Sequence, residues 1–381
     1  MLGTFPPLRG LSSYCLELSM ALARRVHVEF ISFKHLYPGF LYPGGGLQED
    51  LTYPDLSHKN LKVKRRLTWY NPLSWLLEAM AAKVDLLHIQ WWSLPLAPIT
   101  ACIGAVFKLR GKPVVFTVHN VLSHERPQPF QSISRLLFKL GDHFIVHSDI
   151  NCRQMERYYG ISRDRISRVP HGSLDFHVRQ GGDRETIRRK YGLRPDHRVI
   201  LLFGAIRPYK GISTALKAFS EVVRHLPQAR LLIAGKLWLD WEPYQRLIEE
   251  LGIAGSVLTD LNYIPSGDVH TYFEAADLVI LPYHHFDSQS GVGGTAVSFR
   301  KPMIVTEVGG LPDLVRDRRC VVPVKDPAAL ARAMAMCLTD PTQLTAMTAA
   351  AEVVAVELDW SSIAKQTCRI YDHLTGPGRQ N

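Results

Sequence analysis

The feature that most restricts the fold is a repeated alternation of short β-branched runs with longer amphipathic stretches. VHVEFISF (26–33), VDLLHIQW (84–91), PVVFTVHN (113–120) and HFIVHS (143–148) read as strands, with helical patterns at 12–25, 72–82, 130–140 and 149–160. The second half repeats the theme with VILLFG (199–204), ARLLIAG (229–235), LVILPY (278–283) and PMIVTEV (302–308), alternating with helices such as 211–225, 242–251 and 326–339. Nearly continuous apolar strands separated by helices imply parallel sheets covered on both faces. Both halves therefore read as doubly wound α/β. At ~150 residues per domain the length allows two to three domains, and the repetition favours two. The polar stretch 172–198, beginning GSLDFHVRQGGDRET, marks a boundary. The chain opens with almost no first strand: only Met1, Leu2 and Gly3 precede the loop TFPPLRG, where the central strand of such a sheet runs ~5 residues. Either the start is truncated or a neighbour completes the sheet.

Charge is unevenly distributed. Residues 1–180 carry 22 Lys and Arg against 13 Asp and Glu, net +9, whereas residues 181–381 carry 23 against 22, net +1. A basic half points to a polyanion or an anionic membrane surface as partner, with a merely well-solvated surface as the plain alternative. The basic run KVKRR (62–66) is the densest cluster, but no nucleic-acid motif accompanies it and the nearby Trp69, Tyr70 and Trp75 do not form a stacking platform. Nucleic-acid binding is not expected. The six cysteines are scattered without a C-x-x-C pair, which argues for reduced core thiols in a cytoplasmic protein and against a zinc site or a disulfide framework. The start has no signal-peptide pattern. The greasiest stretch, Trp91 to Phe107, is interrupted by Pro95 and Pro98 and falls short of the ~18 apolar residues a membrane span needs.

Three loops follow strand C-termini, where open α/β sheets place ligands. TFPPLRG ends in Gly10, which permits close backbone approach at a helix start; an ordinary turn is the competing reading. FGAIRPYKG sets Gly204, Arg207, Lys210 and Gly211 before a helix. Two cations beside the positive end of a helix dipole are electrostatically unfavourable unless an anion joins them, which favours an anion site over the competing reading of a solvated loop whose Arg and Lys point outward. YHHFDSQSGVGGTAV offers Ser288, Ser290, Gly291, Gly293 and Gly294, small residues with N–H groups suited to phosphate or sugar hydroxyls. Its GVGGTA matches the dinucleotide pattern G-x-G-x-x-A but sits on a late strand rather than the first βα turn. His119 closes a strand ahead of Asn120, and the catalytic and structural readings of such a histidine are balanced. His171, His284 and His285 read as structural.

In this order the segments resemble the retaining nucleotide-sugar glycosyltransferases of family 4, in particular a branch with SQSGV loops. FPPLRGLSSYCLELSMALAR resembles the family's glycine loop and first helix, FTVHN its T-x-H-N strand end, and SRVPHGSL its turn before the interdomain linker. FGAIRPYKGISTALKAF is similar to the donor-phosphate loop, RKPMIVTEVGGLPDLV to the G-x-P-V-V-x-T-x-V-G-G stretch, and DWSSIAKQTCRIYDHL to a C-terminal helix that crosses back to the first domain. The resemblance implies a GT-B fold: two Rossmann-like domains facing each other across a cleft, 1–178 for the acceptor and 179–358 for the donor, with 359–381 as the returning helix.

It further implies that Arg207 and Lys210 hold the donor diphosphate without a metal or other cofactor, in keeping with the lack of a D-x-D motif, and that His119 lies by the transferred sugar. Gly10, Gly204, Ser290, Gly291 and Val292 would complete the donor site. The family's E-x7-E pair falls on Asp287 and Thr295, one a shortened acid and the other no acid at all, which puts ribose recognition at Thr295 in doubt. The implied activity is hexosyl transfer, of mannose or glucose type, to a glycan or lipid-linked acceptor in cell-surface polysaccharide synthesis. The protein would be cytoplasmic and peripheral on an anionic membrane through Lys62, Lys64, Arg65 and Arg66, with the stretch 35–58 over the acceptor. A degenerate sugar-nucleotide binder and a sugar-nucleotide epimerase are the rival readings.

Overall fold

The computed structural model describes residues 1–8, 11–36, 49–53, 57–122, 127–175, 177–178, 183–286 and 289–376, without the side chains of 127–129. Gly10, Asp287, Ser288 and most of the expected acceptor stretch lie outside the described residues. The chain forms two compact units, Met1–Gly172 with Asp359–Asn381, and Ser173–Leu358. The boundary expected after residue 178 thus falls after Gly172, because the Ser173 N–H binds the Leu358 carbonyl at 3.2 Å and ties the linker to the second unit.

The first unit contains α1 (Ser12–Ala23), β1 (Val28–His35), β2 (Leu61–Thr68), α2 (Pro72–Ala81), β3 (Leu87–Trp91), α3 (Ala97–Leu109), β4 (Val114–Val118), α4 (Pro127–Leu137), β5 (His143–Val146), α5 (Asp149–Tyr159) and β6 (Ile166–Arg168). The second contains α6 (Arg184–Lys190), β7 (Arg198–Phe203), α7 (Ile212–His225), β8 (Ala229–Ala234), α8 (Glu242–Glu250), β9 (Val257–Asp260), α9 (Val269–Ala275), β10 (Leu278–Leu281), α10 (Gly291–Ser298), β11 (Met303–Thr306), β12 (Val321–Val322), α11 (Pro327–Thr339) and α12 (Pro341–Glu357). The last helix, α13 (Trp360–Thr375), belongs to the first unit and packs on α1.

All strand pairs are parallel, as the apolar runs require. In the first unit Leu2 bridges Ile31 of β1 and Ile89 of β3. Its N–H binds the His88 carbonyl at 2.8 Å and its carbonyl takes the Gln90 N–H at 2.9 Å. The short opening MLG therefore fills the central place, and the row reads β2, β1, Leu2, β3, β4, β5, β6. The second unit runs β12, β11, β10, β7, β8, β9. Both are the doubly wound order, whose direction reverses between Leu2 and β3 in one unit and between β7 and β10 in the other. Past the strand C-termini at such a reversal is where this architecture binds ligands.

Alternate residues of each strand feed opposite cores. Phe116 and Phe144 enter one cluster of the first unit and Val115 and Ile145 the other. Ile200 and Leu231 are likewise separated from Val199 and Leu232 in the second. Gly172 packs against α13 so closely that a Cβ there would lie 2.3 Å from Trp360.

The basic run 62–66 is an edge strand, β2, and most of its charge is committed. Lys64 pairs with Glu29 at 2.7 Å, both side chains being largely buried. The Arg65 guanidinium donates twice to the Pro6 carbonyl, at 3.1 and 2.6 Å, and Arg66 reaches Glu78 at 3.4 Å.

Candidate functional site

In the second unit, β7 ends at Phe203 and the chain turns through Gly204 at φ 92°. Arg207 then caps a short 3-10 turn, Pro208–Lys210, and Gly211 at φ 71° opens α7. Only a residue without a side chain fits at 211: a Cβ would lie 1.9 Å from the Pro282 carbonyl oxygen. That close approach clamps the cation loop against the end of β10. A second clasp runs from the His284 N–H to the Tyr209 carbonyl at 2.7 Å, and a third joins His284 Nε2 to the Thr214 hydroxyl at 2.8 Å.

Lys210 is held inside this loop, only 3% exposed. Its Nζ donates to the Phe203 carbonyl at 2.9 Å and to the Tyr283 hydroxyl at 2.7 Å. An ammonium has three donors, and neither of these partners is an anion, since burial pushes the Tyr283 phenol well above its usual range. Burial, with the neighbouring Arg207 adding to it, lowers Lys210 to about 7. The Arg207 guanidinium stacks 3.8 Å above the Trp238 ring.

The third sequence loop joins the same cluster. The Tyr283 hydroxyl, which accepts from Lys210, also lies within hydrogen-bond distance of Ser290 Oγ, at 3.3 Å. Ser290 caps α10 by accepting from the Gly293 N–H at 3.2 Å, and its carbonyl takes the Gly294 N–H at 2.8 Å. The N–H groups of Gly291 and Val292 thus stand at the open, positive end of α10. A Cβ on Gly204 would lie 2.9 Å from Val292 and 3.2 Å from the Lys210 ammonium, which puts Gly204, Lys210 and Val292 around one point. Thr295 lies one turn further along, buried, and its hydroxyl donates to the Gly291 carbonyl at 3.0 Å. That hydrogen is spent within the helix rather than turned to a ligand.

In the first unit His119 follows β4 and is 7% exposed. Its Nδ1 lies 3.1 Å from His147 Nε2, and its Nε2 lies 2.8 Å from the Gln90 side-chain amide at Oε1. His147 Nδ1 faces the Val169 carbonyl at 2.9 Å and must carry the hydrogen. Burial holds His147 at about 3, so it is neutral and its Nε2 accepts from His119 Nδ1. His119 is also neutral, held far below its ordinary value by burial and by His147, His171 and His88 around it. Its Nε2 is consequently an acceptor.

Amide oxygen and nitrogen are told apart by their partners, so the Gln90 amide turns its nitrogen to His119; its other end lies 3.3 Å from His88 Nε2, which is closer, at 2.6 Å, to the Thr117 hydroxyl. His88 Nδ1 in turn lies 2.6 Å from the Tyr371 hydroxyl. The result is a directed row of hydrogen bonds from Gln90 through His119 and His147 to the end of β5 and the Val169 carbonyl, with His88, the Thr117 hydroxyl and Tyr371 of α13 adjoining its start. Both ring nitrogens of His119 are engaged in it. Tyr14 of α1 packs its ring 4.7 Å from His119 and 4.8 Å from His171. Among the described residues no set of three or more His, Cys, Asp or Glu side chains is placed to hold a metal ion.

The structure therefore gathers Gly204, Arg207, Lys210, Ser290, Gly291 and Val292 in one unit and sets His119 in the other. Sequence reasoning misses Tyr283, whose only signal is its place at the end of the LVILPY strand, and misses Gln90 and His147, which are strand-end polar residues in otherwise apolar runs.

Residues 183–354 match the family described as Glycosyl transferases group 1, and residues 8–173 match Glycosyltransferase Family 4. The chain belongs to the group 1, family 4 glycosyltransferases. Within this family, a D-inositol 3-phosphate glycosyltransferase of Segniliparus rotundus is 29% identical over 296 residues, 74% of this chain and 64% of that relative. The chain thus spans a little under two thirds of that relative's length. One of the same name from Thermobispora bispora is 25% identical over 399 residues, covering 95% and 89% of the two chains. Among solved structures, sucrose-phosphate synthase of Thermosynechococcus elongatus superposes with a TM-score of 0.70 at 21% identity, covering 96% of this chain and 94% of that one. Anabaena HepE, solved with UDP and glucose, gives 0.74 at 16% identity and covers 98% of both. These likenesses show the GT-B fold.

Proposed function

We propose that the protein transfers a hexosyl unit, of mannose or glucose type, from a nucleotide diphosphate sugar to a glycan or lipid-linked acceptor, with retention of anomeric configuration, in cell-surface polysaccharide synthesis. The observation that carries this reading is Lys210: an ammonium buried between a carbonyl and a neutral phenol, beside a second cation and an open helix N-terminus. Such an arrangement is unfavourable until a polyanion binds. A diphosphate fits it in charge, and the named ligands of HepE support a nucleotide-linked one.

Breaking the anomeric C–O bond leaves charge on the departing phosphate. Arg207, Lys210 and the N–H groups of Gly291 and Val292 receive that charge from preorganised positions, which does the work a metal would otherwise do. The phosphate then accepts the acceptor's proton on the same face, and no protein nucleophile is assigned. His119 serves the sugar: its Nδ1 is fixed by His147, and its Nε2 exchanges the Gln90 amide for a sugar hydroxyl. The net charge of the first unit supports a cytoplasmic protein working at an anionic membrane face.

The test is transfer by Arg207→Ala and Lys210→Ala; activity near that of the unaltered protein in either would remove the clamp. Thr295, with its hydroxyl turned into its own helix, favours one second reading, a binder that holds donor without transferring it. Donor binding with no product from any acceptor tried would support that reading.

A further inference from the structure

Helix α2 is turned inside out. Its one acidic residue, Glu78, is 6% exposed and packs inward with Trp75 and Ala79, whereas Leu73, Leu76, Leu77 and Met80 stand 60, 43, 58 and 60% exposed. Those four positions follow the i, i+3, i+4, i+7 spacing of a single helix face. Tyr70, just before the helix, is 69% exposed and extends the stripe. Leu109 at the end of α3 is 88% exposed and adjoins it, because the neighbouring Arg110 donates to the Ala79 and Ala82 carbonyls at the C-terminus of α2, at 2.6 and 2.7 Å. Scattered exposed leucines need no explanation, but a contiguous apolar helix face does.

The surroundings of the stripe are basic. Arg66, with its side chain 70% exposed, sits beside Glu78; Arg110 caps the helix; Lys83 follows it, exposed. Lys108 and Lys112 are nearby in sequence and are paired with Asp142 and Asp85. The unit as a whole holds 24 Lys and Arg against 14 Asp and Glu, net +10, while the second unit holds 21 of each, net 0. All of the protein's excess charge is on the unit that carries the stripe.

We infer that the α2 face docks on an anionic lipid surface, with Tyr70, Leu73, Leu76, Leu77 and Met80 entering the headgroup boundary and Arg66, Lys83 and Arg110 meeting lipid phosphates. A second copy of the chain fits less well. Two such faces would bring like charges together, and at about 100 Å² for each apolar side chain the stripe offers at most about 500 Å², against about 800 Å² per partner in a stable pair. This rests on the membrane part of the proposed function and is independent of its chemistry.

The test is sedimentation of the full chain with phosphatidylcholine vesicles in which phosphatidylglycerol makes up a third of the lipid. The comparison variants are the triple Leu73→Gln/Leu77→Gln/Met80→Gln and, as a control, Val353→Gln/Val356→Gln, which removes exposed apolar groups (54 and 72% exposed) from the second unit. The expected result is vesicle binding by the unaltered protein and the control, at least tenfold weaker binding by the triple variant, and unchanged melting temperatures throughout. Equal binding by the triple variant would overturn the assignment to α2 and leave the membrane reading intact. No binding by the unaltered protein would overturn both. A dimer that the triple variant turns into a monomer, without vesicle binding, would make this face a contact between copies.

Discussion

Replacing Lys210 by methionine should make the ligand-free protein more stable in mild acid while depriving it of its anion. Holding a lysine at about 7 instead of 10.5 costs the folded state about 5 kcal/mol at and below pH 7, at 1.36 kcal/mol for each pH unit. Methionine keeps the stem's packing and removes that cost, but it forfeits the hydrogen bonds to the Phe203 carbonyl and the Tyr283 hydroxyl, together about 2 to 3 kcal/mol. The net gain is about 2 kcal/mol at pH 6.

The sign then changes with pH. Between 7 and 10.5 the unfolded chain binds the lysine proton and the folded one does not, so the unaltered protein gains stability as pH rises. The advantage of the variant shrinks accordingly, vanishes at roughly pH 8.5 and is reversed by about 2 kcal/mol at pH 10. Urea titration of both proteins at pH 6, 8.5 and 10, following the transition that a nucleoside diphosphate shifts, measures this. A variant less stable at pH 6, or a difference that does not move with pH, would refute the reasoning that Lys210 is a buried charge awaiting a counter-charge.

Three further outcomes follow from the same geometry. A bound diphosphate restores the Lys210 proton, so nucleoside diphosphate affinity should fall about tenfold per pH unit between pH 7 and 9; calorimetry showing a flat profile would contradict it. Gly211→Ala, at φ 71° and 1.9 Å from a carbonyl oxygen, should destabilise the second unit by more than about 2 kcal/mol in urea titration, and a loss below about 0.5 kcal/mol would mean the loop clasp is loose. Tyr371→Phe removes the hydroxyl that holds His88 in place behind Gln90 and the hydrogen-bond row to His119. It should lower kcat about tenfold with diphosphate affinity unchanged, whereas unaltered kcat would detach that row from the chemistry.

Much of the fold was legible because parallel strands buried on both faces leave long apolar runs, and β3, β4, β7, β8, β10 and β11 all announce themselves in this way. The elements that escaped lack that signal. β2 is an edge strand, so only part of it is buried and its lysines and arginines read as a patch, although Glu29, the Pro6 carbonyl and Glu78 engage three of the four. α3 overlaps the greasy stretch after Trp91, where periodicity is lost because most of its faces are apolar. In the site, Arg207 and Lys210 were legible as two cations at a helix start. Tyr283, Gln90 and His147 were not, since their importance lies in which strand ends the sheet order makes neighbours, a relation no local pattern encodes. Nor does the spacing that aligns Thr295 with an acid reveal that its hydroxyl bonds back to Gly291.

The central claim is that Arg207 and Lys210 form a clamp for the second phosphate of a nucleotide, and it can be tested without knowing the sugar or the acceptor. Calorimetric affinities of UDP against UMP and of GDP against GMP, measured on the unaltered protein and on Arg207→Ala/Lys210→Ala, isolate the contribution of that phosphate. Two charge-assisted contacts at about 1.5 to 3 kcal/mol each predict that at least one diphosphate binds a hundredfold or more tighter than its monophosphate, and that the double variant, left with the Gly291 and Val292 N–H groups, loses most of that preference. Equal affinities for diphosphate and monophosphate in the unaltered protein, or a preference that survives undiminished in the double variant, would contradict the account.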